Sequence, residues 1–341
     1  MADVLATEPR TSGSFTTPRA RRRYVVVLGV LVILAAGLGF ALLAWDNPMP
    51  VGSPGFWRIA KLRMTNVTVM AIVAVAQAVA TVSFQTVTNN RIITPSIMGF
   101  EALYRVVQTT TVYLFGVAGL VAIQGVWQFG LQVVIMVGLA MALYGWLLSG
   151  RYGNLQIMLL IGIIIGGGLG AVSTFMQRLL TPSEFDVLAA RLFGNVSNAD
   201  SSYLPLAIPL CVGASVLLWL RARRLNALAL GPDVSRSLGL DHKRDLFVVL
   251  FLVAVLMATS TALVGPMTFL GFLVATLAYQ IADTYDHRLI FPVAVLTAFT
   301  ILAGAYFVMR NVFYAQGMVS ILIELVGGTV FLIVILRKGR L

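Results

Sequence analysis

Apolar runs of bilayer-crossing length recur along this chain, near residues 24–45, 64–86, 97–115, 128–148, 156–176, 203–220, 246–264, 267–282, 289–309 and 318–336. Crossing the hydrocarbon takes about 20 apolar residues in a helix, and each backbone N–H and C=O must be satisfied inside the segment. The runs predict an all-α polytopic membrane helix bundle of about ten transmembrane helices. Composition agrees: 59% of the 341 residues are hydrophobic and 11% charged, against about half and about a quarter in an ordinary soluble domain.

Charge sets the orientation. The polar segment 1–23 carries Arg10, Arg19, Arg21, Arg22 and Arg23, and the run after it is too long and too bare of a small-residue cleavage site for a secretory signal. It reads as a disordered cytoplasmic tail before an uncleaved first helix, with both termini in the cytoplasm and the chain multi-pass in the plasma membrane. Arg91, Arg151, the cluster from Arg221 to Arg244, Arg288, Arg337, Lys338 and Arg340 then fall inside, as cytoplasmic loops require. The net charge of +11 is explained by topology, and nucleic acid is not an expected partner. Arg58, Lys61, Arg63 and Arg310 fall outside, against the rule.

The stretch NNRIITPSIMGFEALYRVVQ, residues 89–108, sets polar, Pro and Gly residues between two spans. Such residues survive at membrane depth where protein or water surrounds them, so the stretch marks a lumen. Glu101 and Arg105 stand one helical turn apart and are expected to pair inside the bundle. Tyr104, Gln108, Gln85, Asn89 and Asn90 can offer hydrogen bonds to a polar ligand or to one another. Glu324 has no cation near it in sequence, leaving a protonated form or a pair across helices. Gly162, Gly166 and Gly170, beside Gly167 and Gly168, form a small-residue stripe that lets another helix approach. Cys211 is a lone cysteine inside an apolar run and is expected to pack there.

The longest cytoplasmic insertion, RARRLNALALGPDVSRSLGLDHKRD at 221–245, interleaves leucines with charges and breaks at Gly231-Pro232. Two short helices joined at a corner are implied. Two readings stand: an amphipathic hairpin lying on anionic membrane lipid, or a knob that fits a soluble partner.

LALGPDVSRSLGL within that loop resembles the coupling segment of FecCD-type permeases, the iron-siderophore and cobalamin importers of ATP-binding cassette (ABC) systems. The resemblance runs from about residue 58 to the C-terminus through QTVTNNRIITPSIMGFEALYRVVQT, ALVGPMTFLGFLVATLA and LIELVGGTVFLIVILRKG. TNNRIITPSIMGF and GPMTFLGFLVATLA are close to the catecholate and anguibactin-type branch; cobalamin permeases carry Pro-His where this chain has Ala275-Thr276. The resemblance implies a transmembrane domain over 24–341 with its coupling segment at 221–245, where Leu230, Gly231, Pro232, Asp233, Arg236, Leu238 and Gly239 meet an ABC ATPase subunit. It implies a second, related but distinct permease subunit, and a substrate-binding protein that delivers ferric siderophore to Arg58, Lys61, Arg63 and Arg310. It places the pathway along Gln85, Asn89, Asn90, Pro95, Gly99, Glu101, Tyr104, Arg105, Gln108, Pro266, Phe269 and Gly271. The family's external Arg-x-Pro-Arg motif appears here as Arg63-Met64-Thr65-Asn66, without its proline and second arginine.

The chain has no G-x-x-x-x-G-K-[ST] loop to cradle ATP phosphates, so energy is expected from another chain. His242 and His287 lack the spacing of a metal site or triad and read as surface histidines, so no cofactor, resident metal or catalytic residue is expected. The alternatives are a proton-coupled secondary transporter using Glu101 or Glu324, or an ABC permease for another chelate such as cobalamin or haem.

Overall fold

The computed structural model describes residues 13–15, 17–121, 125–149, 155–197, 199–313 and 319–338. The described residues are helical throughout their main elements: α1 (Pro18–Ala44), α2 (Pro54–Val87), α3 (Glu101–Val121), α4 (Val126–Ser149), α5 (Leu155–Gln177), α6 (Pro182–Leu192), α7 (Leu204–Leu220), α8 (Ala222–Leu228), α9 (Pro232–Ser237), α10 (His242–Val264), α11 (Leu270–Ala282), α12 (His287–Asn311) and α13 (Val319–Lys338). Each of the ten apolar runs coincides with a helix. Seven of these, α1, α2, α4, α5, α7, α10 and α12, are long and apolar enough to cross a membrane unaided. The other three are α3, which carries Glu101 and Arg105, and α11 and α13, whose apolar stretches are short.

Helix starts follow local capping chemistry. Thr17 Oγ1 accepts from Ala20 N at 3.1 Å and Pro18 opens α1, six residues before the apolar run. Arg19, Arg21, Arg22 and Arg23 therefore lie on α1 and not in a disordered tail; Arg10 lies outside the described residues. Ser53 Oγ caps α2 by accepting from Phe56 N at 3.2 Å, which places Arg58, Lys61 and Arg63 on its first turns. The short helix α6 was not anticipated. Its start is a capping box of the T-x-x-E kind, with Thr181 N donating to Glu184 Oε2 at 3.0 Å; Thr181 Oγ1 donates to the same oxygen at 2.7 Å. Those bonds hold the exposed Glu184 carboxyl below its ordinary pKa.

α2 and α10 form the centre, packed on each other and flanked by α1, α4, α7, α11 and α12. Val69, Met70, Val73, Val253 and Met257 are fully buried between them. Within this core Gln77 Nε2 donates to Ser260 Oγ at 3.1 Å, while Thr81 and Thr261 keep buried hydroxyls without a partner. Cys211 is buried beside them, its thiol 3.5 Å from the Ile72 carbonyl. α1, α4, α5 and α7 turn apolar residues such as Ile33, Val134, Ile164 and Val212 outward, the faces that lipid covers.

Candidate functional site

Between α2 and α3 the chain does not continue as a helix. Asn89 adopts the left-handed conformation at φ 49, Gln85 Nε2 donates to the Arg91 carbonyl at 2.7 Å, and Asn90 Oδ1 accepts from Ile92 N at 2.9 Å. Buried Pro95 leads into a π-turn over Ser96–Phe100. At Gly99 φ is +93, and a Cβ there would stand 3.2 Å from the Gly162 carbonyl and from Gly166 Cα. The reverse holds at Gly166, whose Cβ would meet Gly99 Cα at 2.9 Å. The small-residue stripe of α5 thus receives a turn of its own chain beside the middle of that helix. Gln85, Asn89, Asn90 and Pro95 build this turn.

A second interruption meets the first. Gly265, with φ +86, ends α10; a Cβ on it would lie 2.9 Å from the Phe193 carbonyl, and one on Gly194 only 2.5 Å from the Pro266 carbonyl. Asn195 N donates to Val264 O at 2.8 Å and Ser320 N to Gly194 O at 3.3 Å. Thr268 Oγ1 reaches across to donate to Glu101 Oε2 at 2.6 Å. The ends of α6, α10 and α13 and the start of α3 therefore converge.

Their convergence leaves a cavity of about 240 Å³, lined among others by Arg105, Gly170, Ser173, Gln177, Pro266 and Glu324. On the other side of α3 a cavity of about 560 Å³ is lined by Tyr104, Gln108, Gln132, Asp186, Arg191 and Tyr203. Tyr104 OH donates to the Arg191 carbonyl at 3.0 Å. The expected Glu101–Arg105 pair is not formed. The ion pairs among the described residues are Arg221–Asp245, Arg224–Asp245 and Arg236–Asp233. Glu101 is buried and held by Thr268, with its second oxygen unpartnered, while Arg105 is exposed to the cavity. A Cβ on Gly327 would fall 2.8 Å from Phe269 Cβ, and Gly271 is pressed against Thr81. Among the described residues no three of His, Cys, Asp or Glu converge as a metal site needs.

At the outer end, Arg58, Lys61 and Arg310 are exposed. Arg63 is engaged: its guanidinium donates to the carbonyls of Trp45 and Asp46, the latter at 2.9 Å, closing the end of α1. Asn66, in place of the second arginine, donates to Tyr306 OH at 3.1 Å.

At the inner end, α8 and α9 make a corner at Gly231, φ +91. Leu230, Val234 and Leu238 are exposed apolar residues, and Pro232, Asp233, Arg236 and Gly239 are exposed around them. Both histidines lie behind this corner and are buried, contrary to the surface reading. His242 Nδ1 shares a 2.8 Å hydrogen bond with Ser235 Oγ; His287 Nε2 meets Thr86 Oγ1 at 2.6 Å and its Nδ1 faces Asn226 Oδ1 at 2.5 Å. Asp286 gathers the surrounding segments. Its Oδ1 accepts from Asn226 Nδ2 at 3.2 Å and Arg288 N at 3.1 Å, and its Oδ2 from Ser14 Oγ at 3.1 Å. Burial alone raises its pKa, but these hydrogen bonds and the Arg288 charge outweigh burial and hold it below the ordinary aspartate value.

Residues 27–337 match the FecCD transport family. The chain belongs to that family. It is 51% identical over 337 residues to the petrobactin import system permease protein FatC of Bacillus anthracis, covering 99% of this chain and 95% of that one. It is 32% identical to the petrobactin import system permease protein YclO of Bacillus subtilis, covering 94% and 99% respectively. A solved structure of a metal-chelate type ABC transporter in an inward-facing conformation has the same fold, with TM-score 0.80 at 20% identity over 92% of this chain.

In this FecCD permease, a transport component and not an enzyme, sequence reasoning missed the contribution of α5 and α6 to the cavity. Ser173 and Gln177 lie with Thr174 at the end of the largely apolar α5. Their joint hydrogen bonding with Thr109, at 2.8 to 3.2 Å, is a signal that single residues do not carry.

Proposed function

We propose that this permease forms part of the membrane pathway of an ATP-driven importer of ferric petrobactin or a close relative of that siderophore. The observation that carries this reading is 51% identity, spread over nearly the full length of both chains, to a permease of petrobactin import. A binding protein delivers the chelate to the outer face, where Arg58, Lys61 and Arg310 offer exposed positive charge. Arg63 holds the α1–α2 turn beneath that surface and acts as a positioning residue. A second, related permease subunit completes the pathway on the open side of the cavity between α3, α5 and α13. Separate ATPase subunits receive the α9 corner, whose exposed Leu230, Val234 and Leu238 suit an apolar cleft better than water. Closure of the ATPases then shifts the packing of helices between outward-open and inward-open arrangements.

The test is uptake of radioactive iron presented as ferric petrobactin, other ferric siderophores and haem, with labelled cobalamin in parallel, in cells with the intact permease or its Gly239→Arg variant. Gly239 is exposed with open space around it, so the variant places charge on the docking face, and its φ of +81 means that the side chain also strains the corner. Uptake of ferric petrobactin that disappears in the variant at unchanged membrane abundance is the expected result. Wild-type cells that import haem or cobalamin and leave ferric petrobactin outside would overturn the substrate assignment. A variant with undiminished uptake would overturn the docking role of α9.

A further inference from the structure

The hydroxyl and amide groups of the 240 Å³ cavity largely satisfy one another, while its charges form no ion pair among the described residues. Gln177 Nε2 donates to both Ser173 Oγ and Thr109 Oγ1, and Thr174 Oγ1 donates to the Gly170 carbonyl. Arg105 and Glu324 both line the cavity, one on α3 and one on α13. Among the described residues neither is within ion-pair distance of an opposite charge, yet the Arg105 charge acts on both Glu324 and the buried Glu101. Thr268 holds Glu101 at 2.6 Å, which keeps the neighbouring carboxylate from capturing the guanidinium.

A free guanidinium presents a planar fork of donors that matches paired anionic oxygens. Placed in a water-accessible cavity within the bundle, it favours any passing ligand whose surface is anionic oxygen. A carboxylate lining the same cavity restrains that preference, because its negative charge opposes anionic cargo and partly offsets the arginine. Passage requires this balance, since a site that only bound tightly would hold its cargo.

We infer that Arg105 is the pathway residue that selects anionic chelates, and that Glu324, lining the same cavity, is the opposing charge that keeps this preference from becoming a trap. The inference rests on the import function proposed above and adds the charge class of the substrate.

The test uses the whole importer, with both permeases, the ATPases and the binding protein, and reads uptake of ferric petrobactin together with copurification of the subunits. Arg105→Gln is expected to lower uptake about tenfold or more, the scale of one charge-assisted hydrogen bond, in normally assembled complexes. The double swap Arg105→Glu with Glu324→Arg separates the two roles: recovery of uptake would make the residues a structural pair and overturn the inference. Continued loss supports it. A measurement on the unaltered importer stands apart from folding of the variants. Reconstituted without its binding protein, it is expected to bind a trianionic ferric tris-catecholate at least about tenfold more tightly than an uncharged ferric tris-hydroxamate; equal binding would overturn the inference. Absence of petrobactin uptake by the unaltered importer would instead count against the proposed substrate, and the comparison of the two chelates would still decide the role of charge.

Discussion

The cytoplasmic face of the bundle and the cavity inside it treat polar residues in opposite ways. At the cytoplasmic end, Asn226, Asp286, His287, Thr86 and Ser14 are joined in one hydrogen-bonded cluster linking the α8 corner, α12, α2 and the segment before α1. In the cavity between α3, α5 and α13, Arg105 and Glu324 face open space and Glu101 keeps an unpartnered oxygen. A satisfied cluster transmits force because it has one arrangement, whereas a cavity with spare charge can accept cargo and release it. Position in the molecule therefore says less about the function of a polar residue than whether its hydrogen bonds are already used.

The sharpest way to break this division is at the glycines. Gly166→Val places side-chain atoms against backbone at Gly99 and is expected to destabilise the permease by about 3 kcal/mol or more, at the upper end of overpacking costs. Thermal unfolding of the purified protein and its abundance in membranes check this. Gly170, one turn further along the same stripe, has nothing within 4 Å of a built Cβ and lines the cavity. Gly170→Val is expected to leave the melting temperature unchanged and reduce uptake. If both variants behaved alike, the boundary drawn here between packing and pathway would be wrong.

A smaller effect is expected at the inner cluster. Asn226→Ala removes a donor to Asp286 and the partner of His287 Nδ1. Leaving buried polar groups unsatisfied costs about 1–3 kcal/mol. The variant is expected to melt earlier, and uptake per assembled importer is the measurement that distinguishes the cluster from the cavity. It should fall less than in Arg105→Gln.

How much of this was readable in advance differs between the same regions. The spans were legible because apolar length is a local property, and the corner at Gly231-Pro232 because Gly and Pro have local consequences. The start of α2 was placed ten residues late since Arg58, Lys61 and Arg63 look like loop; Ser53 and Pro54 were the better guide. Thr181 and Glu184 announced α6 through their spacing, but its few turns carry little hydropathy. Glu101 and Arg105 have the spacing of a pair, and only the fold brings Thr268 to Glu101. The histidines likewise look like surface residues because charged neighbours surround them in sequence, while their partners, Ser235 for His242 and Thr86 and Asn226 for His287, come from other helices.

The smallest expected effect concerns pH. Asp286 accepts hydrogen bonds from Ser14, Asn226 and Arg288, and its pKa is held below the ordinary aspartate value of 3.8. For a carboxylate with a depressed folded-state pKa, the stabilisation is fully present above the unfolded value and fades as pH falls through the folded one. Asp286→Asn retains an N-cap side chain but removes the charge and turns one acceptor into a donor. Its melting temperature should therefore lie below that of the unaltered protein by a constant margin from about pH 5 upward. The margin should narrow only below the usual carboxylate range. Melting curves of both proteins between about pH 3 and pH 7 decide the matter: a margin that closed already near neutrality would place the charge of Asp286 outside the cluster, and the inner end would then owe its rigidity to Asn226 and His287 alone.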